Sequence, residues 1–160
     1  MPARTAISPG RNGGRCWGLF QVTTDETRAA LIDMTDAFKR GDHERLVARY
    51  DDDIDWVLYA PLLVFPFAGK RRGKSEVLAS LLGVYQQFTI AKYEVPVILA
   101  DGDRAATVAE IEVVMRSTGR SVTSQLASFS RFRDGKMVEY RGYTDSFDAA
   151  EQVLGFDIDV

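Results

Sequence analysis

The sequence predicts an α+β fold, with helices first and a long antiparallel meander last. Capped helical patterns crowd the first half of the chain and recur only at its end. Four β-rich runs fill residues 90 to 145, and the turn signals "STGR" and "RDGK" separate the last three of them. Long strands with an interior glycine, Gly142, imply a strongly curved sheet wrapped around the helices. Such curvature leaves a hollow between sheet and helix, a usual place for a small ligand.

The first helix opens at "TTDET", where Thr23 and Glu26 have capping-box spacing. Leu31, Met34 and Phe38 share one face, and Gly41 ends the run. Asp42 can cap a second, short helix extending through Tyr50. "DIDWVLY" then reads as a strand with Ile54, Trp56 and Leu58 on one face, followed by a loop with Pro61, Pro66 and Gly69. A third helix spans about 75–88, with Val77, Leu78, Leu81, Leu82 and Tyr85 as its buried stripe. The strands follow at about 90–100, 104–116, 121–133 and 136–145, and "SFDAAEQVL" forms a last helix ending at Gly155.

A three-residue loop at Arg133–Asp134–Gly135 would pair Ser128 with Tyr140 and Leu126 with Gly142. A two-residue turn at Thr118–Gly119 would pair Val113 with Ser124, Ile111 with Leu126 and Ala109 with Ser128. The small and apolar residues then form the concave face. Glu110, Glu112, Gln125, Arg131, Glu139, Arg141 and Tyr143 lie on the convex one, since the side-chain period is two. Gly142 falls in the middle of the concave wall, where it either bends the sheet or keeps the hollow open. In the second case a tryptophan at 142 would fill the space without unfolding the protein.

Composition narrows the function classes. The single cysteine, Cys16, rules out an intrachain disulfide or thiolate cluster, and the single histidine, His43, reads as solvated. No metal or cofactor is expected. The net charge is −3, and three arginines stand unopposed before Asp25, so residues 25–160 carry −6. A domain that acidic lacks the footprint of a nucleic-acid binder, and no apolar run approaches membrane-spanning length. Neither nucleic acid nor membrane is therefore expected as a partner, and the chain reads as cytoplasmic. Residues 1–22 read as a disordered arm without a secretory core, 23–155 as the folded domain and 156–160 as a tail.

The stretches "AFKRGDHERLVARYDDDIDW", "GKRRGKSEV" and "FRDGKMVEYRGYTD", in that order, resemble the nuclear transport factor 2-like superfamily in its SnoaL-like branch, over residues 25–155. The resemblance implies a cone of three helices packed into a curved mixed sheet, commonly as a homodimer. The superfamily includes ketosteroid isomerase, limonene epoxide hydrolase, polyketide cyclases, dioxygenase small subunits and many non-catalytic proteins, so the fold does not choose the chemistry.

Carried over residue by residue, the isomerase general base falls on Leu58, its oxyanion-hole tyrosine on Met34 and its protonated aspartate on Ser128. The hydrolase arginine and aspartate fall on Ile111 and Val113. Its last acid, also carried by the cyclases, falls on Gly142. None of these side chains can abstract a proton beside a ketone.

Asp145 and Tyr140 are the remaining catalytic candidates. Asp145 also suits the cap of the helix at Ser146, and Tyr140 opposite Ser128 suits a satisfied core pair. Glu110 and Glu112 read as a cross-strand charge ladder with Arg141, and "KRRGK" as a solvated basic loop. The expected ligand-lining set is Met34, Trp56, Leu58, Tyr85 and Ile111, with Val113, Leu126, Ser128, Tyr140 and Gly142. Three functions stay open: a small-molecule binding domain for an apolar or aromatic ligand, an isomerase- or cyclase-type enzyme using Asp145 or Tyr140, and a non-catalytic dimerisation module.

Overall fold

The computed structural model describes residues 22–158. All but the last residue of the 1–22 arm lie outside the described residues, as do the last two of the tail. Helix α1 (Thr24–Arg40) starts at a capping box: Thr23 accepts from the Glu26 amide, and Glu26 accepts from the Thr23 amide at 2.8 Å. It stops at Gly41, whose left-handed backbone (φ 67°) reverses the chain. Asp42 caps α2 (His43–Ala48). Asp33 of α1 accepts from Arg49 at 2.7 Å and pairs with Arg45, which pins α1 to α2 and holds its carboxyl below the usual carboxylate range.

Strand β1 (Tyr50–Tyr59) begins at Tyr50, which the sequence had placed at the end of α2. A loop leads into the short β2 (Gly69–Arg72), which helical and strand periodicity did not reveal, and α3 (Lys74–Gln87) follows. Strands β3 (Phe88–Asp101), β4 (Arg104–Met115), β5 (Ser121–Arg133) and β6 (Lys136–Thr144) form the meander. Helix α4 (Ser146–Leu154) closes it. The six strands form one sheet in the order β2-β1-β6-β5-β4-β3, parallel only between β1 and β6. This is the curved mixed sheet and helix arrangement expected, with α1 against β3 and α3 against β1. Among the described residues no helix is long and apolar enough to cross a membrane.

The register differs from the sequence reading by two residues in both hairpins, and the faces survive. At the last hairpin Asp134 (φ 51°) and Gly135 (φ 73°) form a two-residue turn that pairs Arg133 with Lys136. A one-residue bulge between Arg131 and Phe132 follows. Its extra residue is Val138 of β6; on the other edge of β5 the Phe132 amide extends the ladder with β4 by donating to the Asp103 carbonyl at 2.7 Å. Turn and bulge together shift the pairing by an even number, so inward residues stay inward. Gly142 therefore faces Ser128, Leu126 faces Thr144, and Tyr140 faces Ser130. The other turn is four residues long: Met115 pairs with Arg120, and Val113 with Val122, Ile111 with Ser124 and Ala109 with Leu126.

The third helix buries Val77 and Leu81 but leaves Leu82 37 % exposed, with Ser80 taking the buried place. On the convex face Glu110 bonds Lys92 at 3.0 Å, not Arg141, which pairs with Asp55 at 2.7 Å. His43 is half-buried rather than fully solvated. Its ring packs on Tyr85 with centroids 4.7 Å apart, and its Nδ1 is buried without a partner among the described residues.

Candidate functional site

The hollow between sheet and helices is a cavity of about 230 Å³. Strand β1 contributes Tyr50, Trp56 and Leu58 to its wall; β4 to β6 contribute Thr107, Ile111, Val113, Ser124, Leu126, Ser128, Tyr140 and Thr144. Met34 enters from α1, Tyr93 from β3, and Phe65 and Phe67 from the loop before β2. Each strand residue points inward because alternate residues share a face. Of the expected set, Met34, Trp56, Leu58, Ile111, Val113, Leu126, Ser128 and Tyr140 converge on this space.

Tyr85 and Gly142 do not. Tyr85 turns away between Phe38 and His43, and its hydroxyl donates to the Phe38 carbonyl at 2.7 Å. Gly142 is covered by its own neighbour. A Cβ there would stand 2.9 Å from the Tyr140 Cε1 and hydroxyl and 3.0 Å from Leu58 Cδ1. Side chains lean along a strand, and Tyr140 leans two residues on, laying its ring over the glycine. Gly142 thus makes room for Tyr140, not for a ligand. The same lean brings the Tyr140 hydroxyl to Ser128 although the backbone register puts Tyr140 opposite Ser130. Trp56 stacks on that ring, 5.5 Å away with planes 11° apart.

Asp145 lies outside the lining. Its carboxylate accepts from the Asp148 amide at 3.2 Å and caps α4. Glu110 and Glu112 lie on the convex face, as expected. Among the described residues, no lining side chain carries a carboxylate, ammonium, guanidinium or imidazole.

The polar groups of the wall are hydroxyls. Thr107 and Ser128 share a hydrogen bond of 2.7 Å, and Ser124 and Thr144 one of 2.6 Å. Tyr50, Tyr93 and Tyr140 add three phenols. Burial pushes the Tyr93 phenol up to about 12. It raises Tyr50 and Tyr140 further, and Ser128 only partly offsets the effect at Tyr140. These phenols stay protonated at neutral pH and can each offer a donor. No hydrogen bond within the described chain uses the Tyr50 or Tyr93 hydroxyl. Neither is among the wholly buried polar atoms left without a partner, of which His43 Nδ1 is the single example in the described residues. Tyr50 and Tyr93 escaped sequence reasoning because one sits at a helix–strand boundary. The other lies on β3, whose bulges between Ile90 and Lys92 and between Glu94 and Val97 reset which residues face in.

Comparison with known proteins places this geometry. The SnoaL-like domain matches residues 31–140. A protein of Rhodopseudomonas palustris, named provisionally as an isomerase, is 32 % identical, with a TM-score of 0.74 over 79 % of this chain and 96 % of its own. A nuclear transport factor 2-like protein of Burkholderia xenovorans is 26 % identical, with a TM-score of 0.72 over 82 % of this chain and 98 % of its own. An epoxide hydrolase of Mycobacterium tuberculosis, of the limonene-hydrolase-like type, shares the fold at 18 % identity, with a TM-score of 0.67 over 82 % of this chain and 92 % of its own. Among curated proteins none matches in sequence. With its mixed cone and the matched span, the chain belongs to the SnoaL-like domain family of the nuclear transport factor 2-like superfamily.

Proposed function

We propose that the protein binds a small, neutral, largely apolar or aromatic molecule in the cone, without the catalytic groups of its relatives. The observation that carries this reading is a charge-free cavity with protonated tyrosine donors in its wall. An ionised ligand would bury its charge with no counter-charge, at a cost far above what hydroxyls repay. A dry apolar cavity of ~150 Å³ holds benzene, so about 230 Å³ admits a substituted aromatic. The Tyr50 and Tyr93 hydroxyls favour a ligand carrying an acceptor oxygen. An isomerase- or cyclase-type reaction through Asp145 or Tyr140 is the alternative. It would require Asp145 to leave its cap, or a phenol held protonated to act as a base.

The test compares 2-acetylnaphthalene with 2-naphthoate, matched in shape and differing in charge, by quenching of Trp56 in the wall. The ketone is expected to bind at least ~10-fold more tightly. Tyr93→Phe is expected to weaken it by about fivefold, the worth of one hydrogen bond. Equal affinity for the two naphthalenes would remove the reading.

We also propose that the protein is a homodimer through its convex face. Cross-strand rows Val97–Val108–Ala127–Tyr143–Tyr59 and Leu99–Ala106–Phe129–Arg141–Val57 run side by side across the sheet. In them Leu99 is 65 % and Phe129 57 % exposed. The exposed Val97, Leu99, Phe129, Tyr143 and Tyr59, with the ion-paired Arg141 among them, make an apolar surface that suits a two-fold contact. Arg141 is engaged within its own chain by Asp55, so Phe129→Asp is the cleaner probe. This variant is expected to halve the mass seen by light scattering; a wild-type protein that stays monomeric at high concentration would exclude the dimer.

A further inference from the structure

The loop between β1 and β2, "APLLVFPFAG", has two unlike faces. Inward, Ala60, Phe65 and Phe67 line the cavity. Outward, Leu62 is 58 % exposed and Leu63 fully so, which is unusual for adjacent leucines at a loop tip. Slack does not account for it. The Val64 and Phe65 amides both donate to the Pro61 carbonyl, at 3.0 and 2.8 Å, and the Ala68 amide donates to the Phe65 carbonyl at 2.9 Å. Arg71 of β2 donates to the Pro66 and Lys70 carbonyls and ties the loop to the strand. The leucine pair is presented by a braced turn.

Charge stands beside it. Between Asp55 and Glu76 the chain holds Lys70, Arg71, Arg72 and Lys74 and no acid, in a protein of net charge −3. Lys74 pairs with Asp52, and Glu76 accepts from the Arg72 amide. Those acids, with Asp53, gather at the Arg72 end of β2, where Arg72 faces Asp55. Lys70 and Arg71 stand at the loop end. Among the described residues neither their side chains nor that of Arg72 forms an ion pair with a carboxylate. Strand β2 is also the edge of the sheet, so nothing of the sheet lies beyond it.

We propose that this loop and β2 dock the protein peripherally on an anionic lipid bilayer, with Leu62 and Leu63 entering the interface and Lys70 and Arg71 meeting the headgroups. Apolar side chains flanked by cations, on the wall of an apolar cavity, are what such a surface recognises. This departs from the expectation of no membrane partner drawn from the sequence, which rested on the absence of a spanning run. Interfacial contact needs only a few side chains.

The experiment is flotation of the full chain with phosphatidylcholine vesicles, with and without phosphatidylserine. Partition is expected only with phosphatidylserine and is expected to fall with added salt. Leu62→Ser/Leu63→Ser should reduce it at least ~10-fold, and Lys70→Gln about fivefold. These three positions are exposed, and unchanged thermal unfolding certifies the variants. No partition of the wild type would overturn the proposal, as would partition indifferent to the leucines. So would a leucine variant whose mass drops by half in light scattering, since the loop would then be covered by a second copy.

Discussion

Gly142→Trp is expected to destabilise the protein by about 1–3 kcal/mol, the usual cost of overpacking a filled site. The first added atom already falls 2.9 Å from the Tyr140 ring and 3.0 Å from Leu58, so the larger side chain must displace both. Gly142→Ala should cost less, because a methyl need displace only the outer ends of the Tyr140 and Leu58 side chains, and it should lower 2-acetylnaphthalene affinity by pushing them into the cavity. A denaturant midpoint of Gly142→Trp equal to that of the wild type would show open space over the glycine and contradict the placement of Tyr140. The expectation from sequence was the reverse, a tryptophan accommodated by a hollow at 142. That reasoning counted faces and neighbours across strands. It had no means to see that Tyr140, two residues back on the same strand, leans into the vacancy.

Stability is expected to fall steeply in alkali. Burial raises the phenols of Tyr50, Tyr93 and Tyr140, and that of Tyr85 to about 12. In the unfolded chain a tyrosine ionises near pH ~10. Below that value both states hold their protons, and the stability is fully present. Above it the unfolded chain loses protons that the folded protein retains, so stability declines until the folded phenols ionise in turn. Tyr50, Tyr93 and Tyr140 each contribute a slope of up to about 1.4 kcal/mol per pH unit, and the half-exposed Tyr85 less, because solvent screens it. Denaturation midpoints measured on either side of pH ~10, with phenolate absorbance as a second readout, check this. Tyr93→Phe should make the decline shallower by one tyrosine. A midpoint unchanged through that range would mean that these phenols are wet. Ligand affinity, which depends on the same protonated hydroxyls, should stay level through neutral pH.

Much of the architecture was legible in the sequence because local rules wrote it. Thr23 with Glu26, Asp42, and Asp145 before "SFDAAEQVL" each cap the helix that follows, and a cap is a contact over three residues. The inward face of β4 to β6 was also legible, since alternation survives any even error in register. Both hairpins were misread by two residues, and Ser124, Leu126, Ser128, Tyr140 and Thr144 still pointed inward. The missing acids were legible too: Leu58, Ile111, Val113 and Gly142 cannot become carboxylates on folding.

Tertiary structure alone decided the rest. It made a two-residue turn and a bulge of the last hairpin, where the Met137 amide, opposite Phe132, donates to the Arg49 carbonyl, a partner 88 positions away. It brought Tyr50 and Tyr93 into the cavity from a boundary and a bulged strand, and folded Phe65 and Phe67 in while turning Leu62 and Leu63 out. It turned Tyr85 away onto His43, whose ring the sequence had left in water. These outcomes depend on which distant groups compete for the same space, and no periodicity along the chain encodes that competition.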